Sequence, residues 1–322
     1  METADPQRQI KLGTRASPLA LCQSEMVAHA LTQAHGWAHG TIELETIITK
    51  GDTNLDRKLA EIGGKGLFTE ELEAGLRDTS LDLAVHSLKD LPTVSPAGLT
   101  LGAILPREDA RDVLVPRTGL AFKSLEDLPK GARLGTASLR RGAQLLAARP
   151  DLHIEPLRGN VGTRMQRLET QDLHATLLAA AGLNRLALTP DAALALDPKQ
   201  IVPAAGQGAL AVQCRSDDTQ MLAWLRALHC PDTADCVAAE RSFLNALDGS
   251  CRTPIAAYAT LGGATLEDAT LDDDTISLHG RLLREDGQEA VEGTSTGPRQ
   301  DAIAMGQALA AQLRDQAPHL VS

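Results

Sequence analysis

The sequence predicts an α/β protein: two strand–helix halves, followed by a small α+β domain with an antiparallel sheet. Three observations carry this. From Ile10 to Ala180 short apolar strands alternate with helices, the pattern of parallel sheets covered by helices. The alternation restarts after a charged connector, Pro106–Asp112. Beyond Ile255 three strand candidates follow one another with no helix between them, which gives antiparallel pairing. A length of 322 residues suits two or three domains, each able to bury a core.

Ile10–Gly13 reads as a short strand, and Ser17–Ala34 as a helix with Ser17 at the N-cap and Pro18 in the first turn. A strand at Ile42–Thr49 and a helix at Thr69–Asp78 follow, then strands Leu81–His86 and Leu99–Leu105. The second half runs strand Val113–Val115, strand Arg133–Thr136, helix Ser138–Ala148, strand Ile154–Leu157, helix Gly162–Thr170 and strand Ala175–Ala180. Gly206-Gln207-Gly208 leads into a strand at Ala209–Cys214, a return crossing between the halves, and then a helix at Thr219–Leu228. The last third holds helix Ala234–Leu247, strands Ile255–Leu261, Thr275–Leu283 and Glu289–Thr296, and helix Asp301–Gln316. The resulting domains are 1–108 with 204–228, 109–203, and 229–322.

A net charge of −11 argues against nucleic acid and anionic membranes as partners, and aromatics at 2% leave no stacking platform for single strands. The charge is uneven. Arg133–Arg185 holds eight arginines, no lysine and four acids, a local +4 within an acidic chain. Guanidinium forks grip carboxylate or phosphate bidentately, so this island suits a small anion. The first residues lack the apolar segment of a secretory signal, and the longest apolar run, Ala175–Leu183, is too short to span a bilayer. Five scattered cysteines then read as reduced thiols of a cytoplasmic protein. Cys230 and Cys236 lack zinc-site spacing, and His29, His35 and His39 read as a solvated face, so no metal is expected.

Several segments carry chemistry. Gly13-Thr14-Arg15-Ala16-Ser17 and Gly135-Thr136-Ala137-Ser138 each end a strand and open a helix with serine. Capping alone explains either; both together suggest helix starts aimed at an anion. Gly63–Phe68 is a glycine-rich stretch without P-loop spacing, either a flexible loop or a lid. His86–Pro92 places His86, Lys89 and Asp90 at a strand end, where α/β proteins bind ligands. Arg140 and Arg141 oppose the dipole of their helix, so they form either an anion site or an exposed, mildly unfavourable pair. Arg158, Arg164 and Arg185 add three guanidiniums able to converge with them. Cys251, beside Arg252 in a turn, is either incidental or a reactive thiol favoured as thiolate.

Together these pieces resemble the porphobilinogen deaminase family, also called hydroxymethylbilane synthases. The matching segments run from Ile10 to about Leu313: GTRASPLAL, KGD, GGKGLF, AVHSLKDLP, REDARD, GTASLRR, LRGNVGTR, AGLNRL, PAAGQGAL, AAERSF and SCRTPI. The resemblance implies two lobes like type II periplasmic binding proteins with a cleft between them, plus a small third domain. It implies a monomer that condenses four porphobilinogen molecules into hydroxymethylbilane, releasing ammonia, on a dipyrromethane primer joined by thioether to Cys251. Asp90 matches the catalytic aspartate, which accepts pyrrole N–H bonds and stabilises developing positive charge on an azafulvene. Asp90, Lys89, Ser138, Arg140 and Arg141 match cofactor-binding positions. Arg15, Ser17, Arg158, Arg164 and Arg185 match substrate positions, and Lys65 and Phe68, with Asp52 and Asp56 near its start, match a mobile active-site loop. Ser250 stands where a second glycine is common before the cysteine, and Ala137 where serine or threonine is frequent. Two other readings remain: an anion sensor without catalysis, and a hydrolase using Cys251 and His86.

Overall fold

The computed structural model describes residues 8–49, 69–247, 253–262 and 272–321. In chain order, β1 (Ile10–Arg15), α1 (Pro18–His35), β2 (Ile42–Ile47), α2 (Glu70–Arg77), β3 (Leu83–Ser87) and β4 (Leu99–Ile104) come first. There follow β5 (Asp112–Pro116), β6 (Arg133–Gly135), α3 (Leu139–Ala148), β7 (His153–Glu155), α4 (Val161–Thr170), β8 (Ala175–Ala179), α5 (Ala180–Arg185) and β9 (Leu194–Ala195). Next are β10 (Leu210–Arg215), α6 (Thr219–Leu225), α7 (Pro231–Ala246), β11 (Ile255–Leu261), β12 (Thr275–Leu283), β13 (Ala290–Pro298) and α8 (Ala302–Gln316). The chain divides into two compact units, the first drawn from Met1–Arg57, Gly63–Arg107 and Ala209–Ala234, the second from Glu108–Gly208 and Asp235–Ser322.

The first unit holds a five-stranded sheet in the order β2-β1-β3-β10-β4. Its β1 runs parallel to β2 and β3, while β10 is antiparallel to both β3 and β4. Strand alternation sorts the side chains. Ile10, Leu12, Leu83, Val85 and Val212 pack with Val27 and Leu31 of α1 and Met221 and Leu225 of α6. On the other face Ala84 meets Leu72 and Leu76 of α2. A Cβ on Gly13 would lie 2.5 Å from Leu81 and 2.8 Å from Leu72, so β1 needs glycine where that layer presses closest. His35 departs from the solvated face the sequence suggested. Its Nε2 lies 2.9 Å from the Trp224 carbonyl, and its ring stacks on Trp37 at 4.7 Å, because α1 ends against the turn after α6.

The second unit repeats the arrangement: β7-β6-β8-β5-β9, with β6 parallel to β7 and β8 and β5 antiparallel to β8 and β9. Position by position, β6 stands where β1 does, β8 where β3 does, and β5 where β10 does. This is the strand order of type II periplasmic-binding-protein-like lobes. The expected parallel sheets are thus mixed. In each, the antiparallel fourth strand reaches the sheet by a chain crossing and enters from the opposite end.

The second unit also contains the expected antiparallel sheet, β11-β12-β13, backed by α7 and α8 around Phe243, Leu278, Leu282, Leu309 and Leu313. The sheet docks on α3. Arg281 donates through Nη1 to Gln144 (3.1 Å) and to the Gln200 carbonyl (3.1 Å), and through Nη2 to the Lys199 carbonyl (2.9 Å). Gly287, in the β12–β13 turn at φ +70°, approaches so closely that a Cβ would lie 2.5 Å from Ala147 N. No helix among the described residues is long and apolar enough to cross a membrane.

Candidate active site

In both units the candidate residues cluster just past the C-terminal ends of the parallel strands, the ligand-binding end of an open α/β sheet. In the first unit Arg15 ends β1, and Ser17 accepts the Ala20 N–H at 3.3 Å as N-cap of α1. Lys89 and Asp90 lie in a 3₁₀ turn, Leu88–Asp90, directly after β3. Buried Leu88 and Leu91 pin that turn, and the Leu88 N–H donates to the Ala209 carbonyl at 3.0 Å. Asp90 is exposed, and among the described residues its carboxylate has no hydrogen-bond or ion-pair partner. A pinned, available carboxylate is suited to stabilising positive charge on a bound molecule.

His86, on the preceding strand, is buried and donates from Nε2 to Gln213 Oε1 at 3.1 Å, since an amide oxygen only accepts. Burial pushes its pKa down to about 4, with Gln213 opposing and Arg15 assisting, so His86 is neutral at neutral pH. Gln213 reaches that ring diagonally, since it pairs with Ala84 and so shares a sheet face with His86 two positions along β3. Gln213 also hydrogen-bonds Glu73, whose carboxyl burial raises.

In the second unit Ser138 follows β6 and accepts the Arg141 N–H at 3.4 Å as N-cap of α3. Arg158 and Arg164 flank the β7-to-α4 turn, which Asn160 caps by accepting the Thr163 N–H at 2.8 Å. Arg185 ends α5 and donates to the Gly208 carbonyl at 2.7 Å.

Arg140 and Arg141 are not an exposed pair. Both are buried against Asp112, itself fully buried at the start of β5. Arg140 Nη1 lies 2.8 Å from Asp112 Oδ2; Arg141 Nη2 and Nε lie 2.7 and 3.1 Å from Oδ1. Arg140 Nη1 also donates to the Val202 carbonyl (2.6 Å), and Arg141 Nη1 to that of Leu177 (2.9 Å). Burial alone would raise the Asp112 pKa, but two guanidiniums hold it far below the usual carboxylate range. Burial lowers that of Arg140.

Three buried polar residues escaped sequence reasoning. Gln207 donates to Asp112 Oδ1 (2.8 Å) and to the Ala110 carbonyl (2.7 Å). Glu240 of α7 accepts from Gly206 N (2.6 Å) and Ala259 N (2.8 Å). A signal for Asp112 existed: a lone acid opening an apolar strand must be paired if that strand is buried. Gln207 and Glu240 carried none. Lys65, Phe68, Asp52, Asp56 and Cys251 lie outside the described residues. Cys22, Cys214, Cys230 and Cys236 are thiols; burial pushes the Cys214 pKa up to about 11, which makes it inert. No cluster that could hold a metal occurs among the described residues.

Residues 10–223 match the family described as "Porphobilinogen deaminase, dipyromethane cofactor binding domain", and residues 234–315 match "Porphobilinogen deaminase, C-terminal domain". The porphobilinogen deaminase of Paracoccus denitrificans is 46% identical over 98% of this chain and 96% of its own length. That of Nitrobacter winogradskyi is 47% identical over 95% and 93%. Among solved structures, the BvgS VFT2 domain of Bordetella pertussis (a double mutant) aligns with a TM-score of 0.42 and 15% identity over 73% of this chain and 93% of that one. With both halves of the family present over nearly the whole length, the chain belongs to the porphobilinogen deaminases, transferases of tetrapyrrole synthesis that use a dipyrromethane cofactor.

Proposed function

We propose that this chain performs the family reaction with Asp90 as its catalytic residue and Cys251 as the cofactor's point of attachment. The reaction condenses four porphobilinogen molecules into hydroxymethylbilane and releases ammonia at each step. The observation that carries the assignment is Asp90: an exposed carboxylate, held on a buried turn at the end of β3, in the same rim as Arg15 and Lys89.

As ammonia leaves porphobilinogen, positive charge develops on the pyrrole. The Asp90 carboxylate accepts the pyrrole N–H and stabilises that charge, a contribution made in the transition state more than in binding. When bound, a dipyrromethane would supply a free pyrrole α-carbon for the first condensation. Its carboxylates, and those of each added unit, fit the donor set at the strand ends. Lys89, Ser138, Arg140 and Arg141 would build the cofactor's site, by contact or by bracing a neighbour; Arg15, Ser17, Arg158, Arg164 and Arg185 would hold substrate and product. Charged hydrogen bonds contribute about 1.5–3 kcal/mol each, so several arginines retain a polyacid that one would release.

The protein works as a cytoplasmic monomer, with residues 1–108 and 204–228, 109–203, and 229–322 as its three domains. Buried His86, with its pKa pushed down to about 4, is too weak a base for the thiol of a cysteine hydrolase. Intact mass tests the assignment. The purified chain should carry a dipyrromethane adduct that Cys251→Ala lacks, and porphobilinogen should be consumed with release of ammonia. A chain of unmodified mass that leaves porphobilinogen untouched would refute it.

A further inference from the structure

The start of α3 is charged in a way its sequence does not reveal. Two guanidiniums, which stay protonated in proteins, face one carboxylate, Asp112, and one neutral amide, Gln207. Asp112 and Gln207 are both 0% exposed, so water does not screen this balance. Among the described residues the cluster therefore carries one residual positive charge.

Its geometry decides where that charge is usable. Arg141 spends its Nε–Nη2 edge on Asp112 and one N–H of Nη1 on the Leu177 carbonyl. Arg140 has only Nη1 engaged, on the Val202 carbonyl and Asp112; its Nε and Nη2 have no hydrogen-bond partner among the described residues. The Nε–Nη2 edge is the side of a guanidinium that takes a carboxylate bidentately.

We infer that Asp112 and Gln207 are positioning residues that leave a single positive charge at the start of α3 and direct it to the Nε–Nη2 edge of Arg140, which takes one carboxylate of the cofactor. This rests on the reading of Arg140 as a cofactor-binding residue and divides the labour of the two arginines: Arg141 is a brace, Arg140 a hand. The neutrality of Gln207 is then functional, because a carboxylate at that position would cancel the charge while hydrogen-bonding well.

The test uses the full chain, made in cells unable to supply porphobilinogen and then loaded in vitro with preformed bilane. Loading is followed by intact mass and stability by thermal melting. Gln207→Glu is expected to melt at or above the native temperature yet load at least tenfold more slowly. Gln207→Met, which removes the hydrogen bonds without adding charge, should melt lower and load faster than Gln207→Glu. A purely structural role would move melting and loading together. If Arg140→Leu fails to load while Gln207→Glu loads at the native rate, the charge inference is wrong and the assignment of Arg140 stands. If Arg140→Leu itself loads normally, that assignment falls and this inference with it. A Gln207→Glu chain that cannot fold also overturns the inference, since a site with spare positive charge should accept a carboxylate.

Discussion

Asp90 and Asp112 are both aspartates beside strands, and their surroundings give them opposite work. Asp90 is exposed and unpartnered among the described residues, so its charge is available to a substrate. Asp90→Ala, supplied with preformed bilane, should keep its fold and adduct but lose turnover by about 100-fold or more, the scale of removing one transition-state electrostatic contact. Near-native turnover would remove Asp90 from its role. Asp112 is spent inside the protein. Asp112→Asn leaves two guanidiniums without a counter-ion and should destabilise the fold by about 3–5 kcal/mol in denaturant titration, the range for breaking a buried pair. His86 sets a pH dependence. Its native pKa, about 4, lies below the ordinary value, about 6.5. Between these values the unfolded chain binds the extra proton. Stability should therefore fall as pH drops from about 6.5 to 4, by about 3 kcal/mol from this group, and be fully present above that window. His86→Gln should shrink that slope. Asp112 is depressed too, so its contribution persists down to lower pH and is lost only as pH falls through its native value.

At the scale of elements, the serine caps were legible because a β-strand's end, a hydroxyl and an amphipathic run lie in sequence. Ser138→Ala should cost about 1 kcal/mol in thermal or denaturant unfolding. The cap also holds the Arg141 N–H, so a stability loss near zero would mean that α3 is set by Asp112 alone. Most strands and helices were readable for the same local reason: periodicity and caps are written in neighbouring residues. Strand direction was not, since it depends on which end of a sheet the chain enters. Nor was the counter-ion of Arg140 and Arg141, because Asp112 is 28 and 29 positions away and meets them only once β5 lies near α3. The turn proposed to carry catalysis was visible as a charged cluster after an apolar strand. That its carboxylate has no partner among the described residues could be seen only with the turn folded.

For the molecule as a whole, the strands bunched after Ile255 correctly announced an antiparallel sheet, but nothing local said what it would rest on. Arg281 and Gly287 seat it on α3, and Glu240 grips the Gly206 turn that leads to Gln207. The domain assigned to carry the cofactor cysteine is thus tied to the helix assigned to hold the cofactor's carboxylates. Gly287→Val places branched bulk against the α3 backbone at a positive φ. It should slow cofactor loading as well as lower the melting temperature. Unchanged loading in a destabilised protein would show that the seat serves stability alone.

The borrowed fourth strand of each sheet has a consequence for how the protein is made. β10 lies between β3 and β4, yet it is synthesised only after β5 through β9. Until Leu210–Arg215 leave the ribosome, β3 and β4 each present an unfilled row of backbone donors and acceptors, the kind of edge that recruits foreign strands. A nascent chain stalled at residue 207 should therefore be protease-sensitive in β3 and β4 and prone to aggregate. One stalled far enough on to free α6 should resist both, so the earliest part of the polypeptide has to wait for a late one.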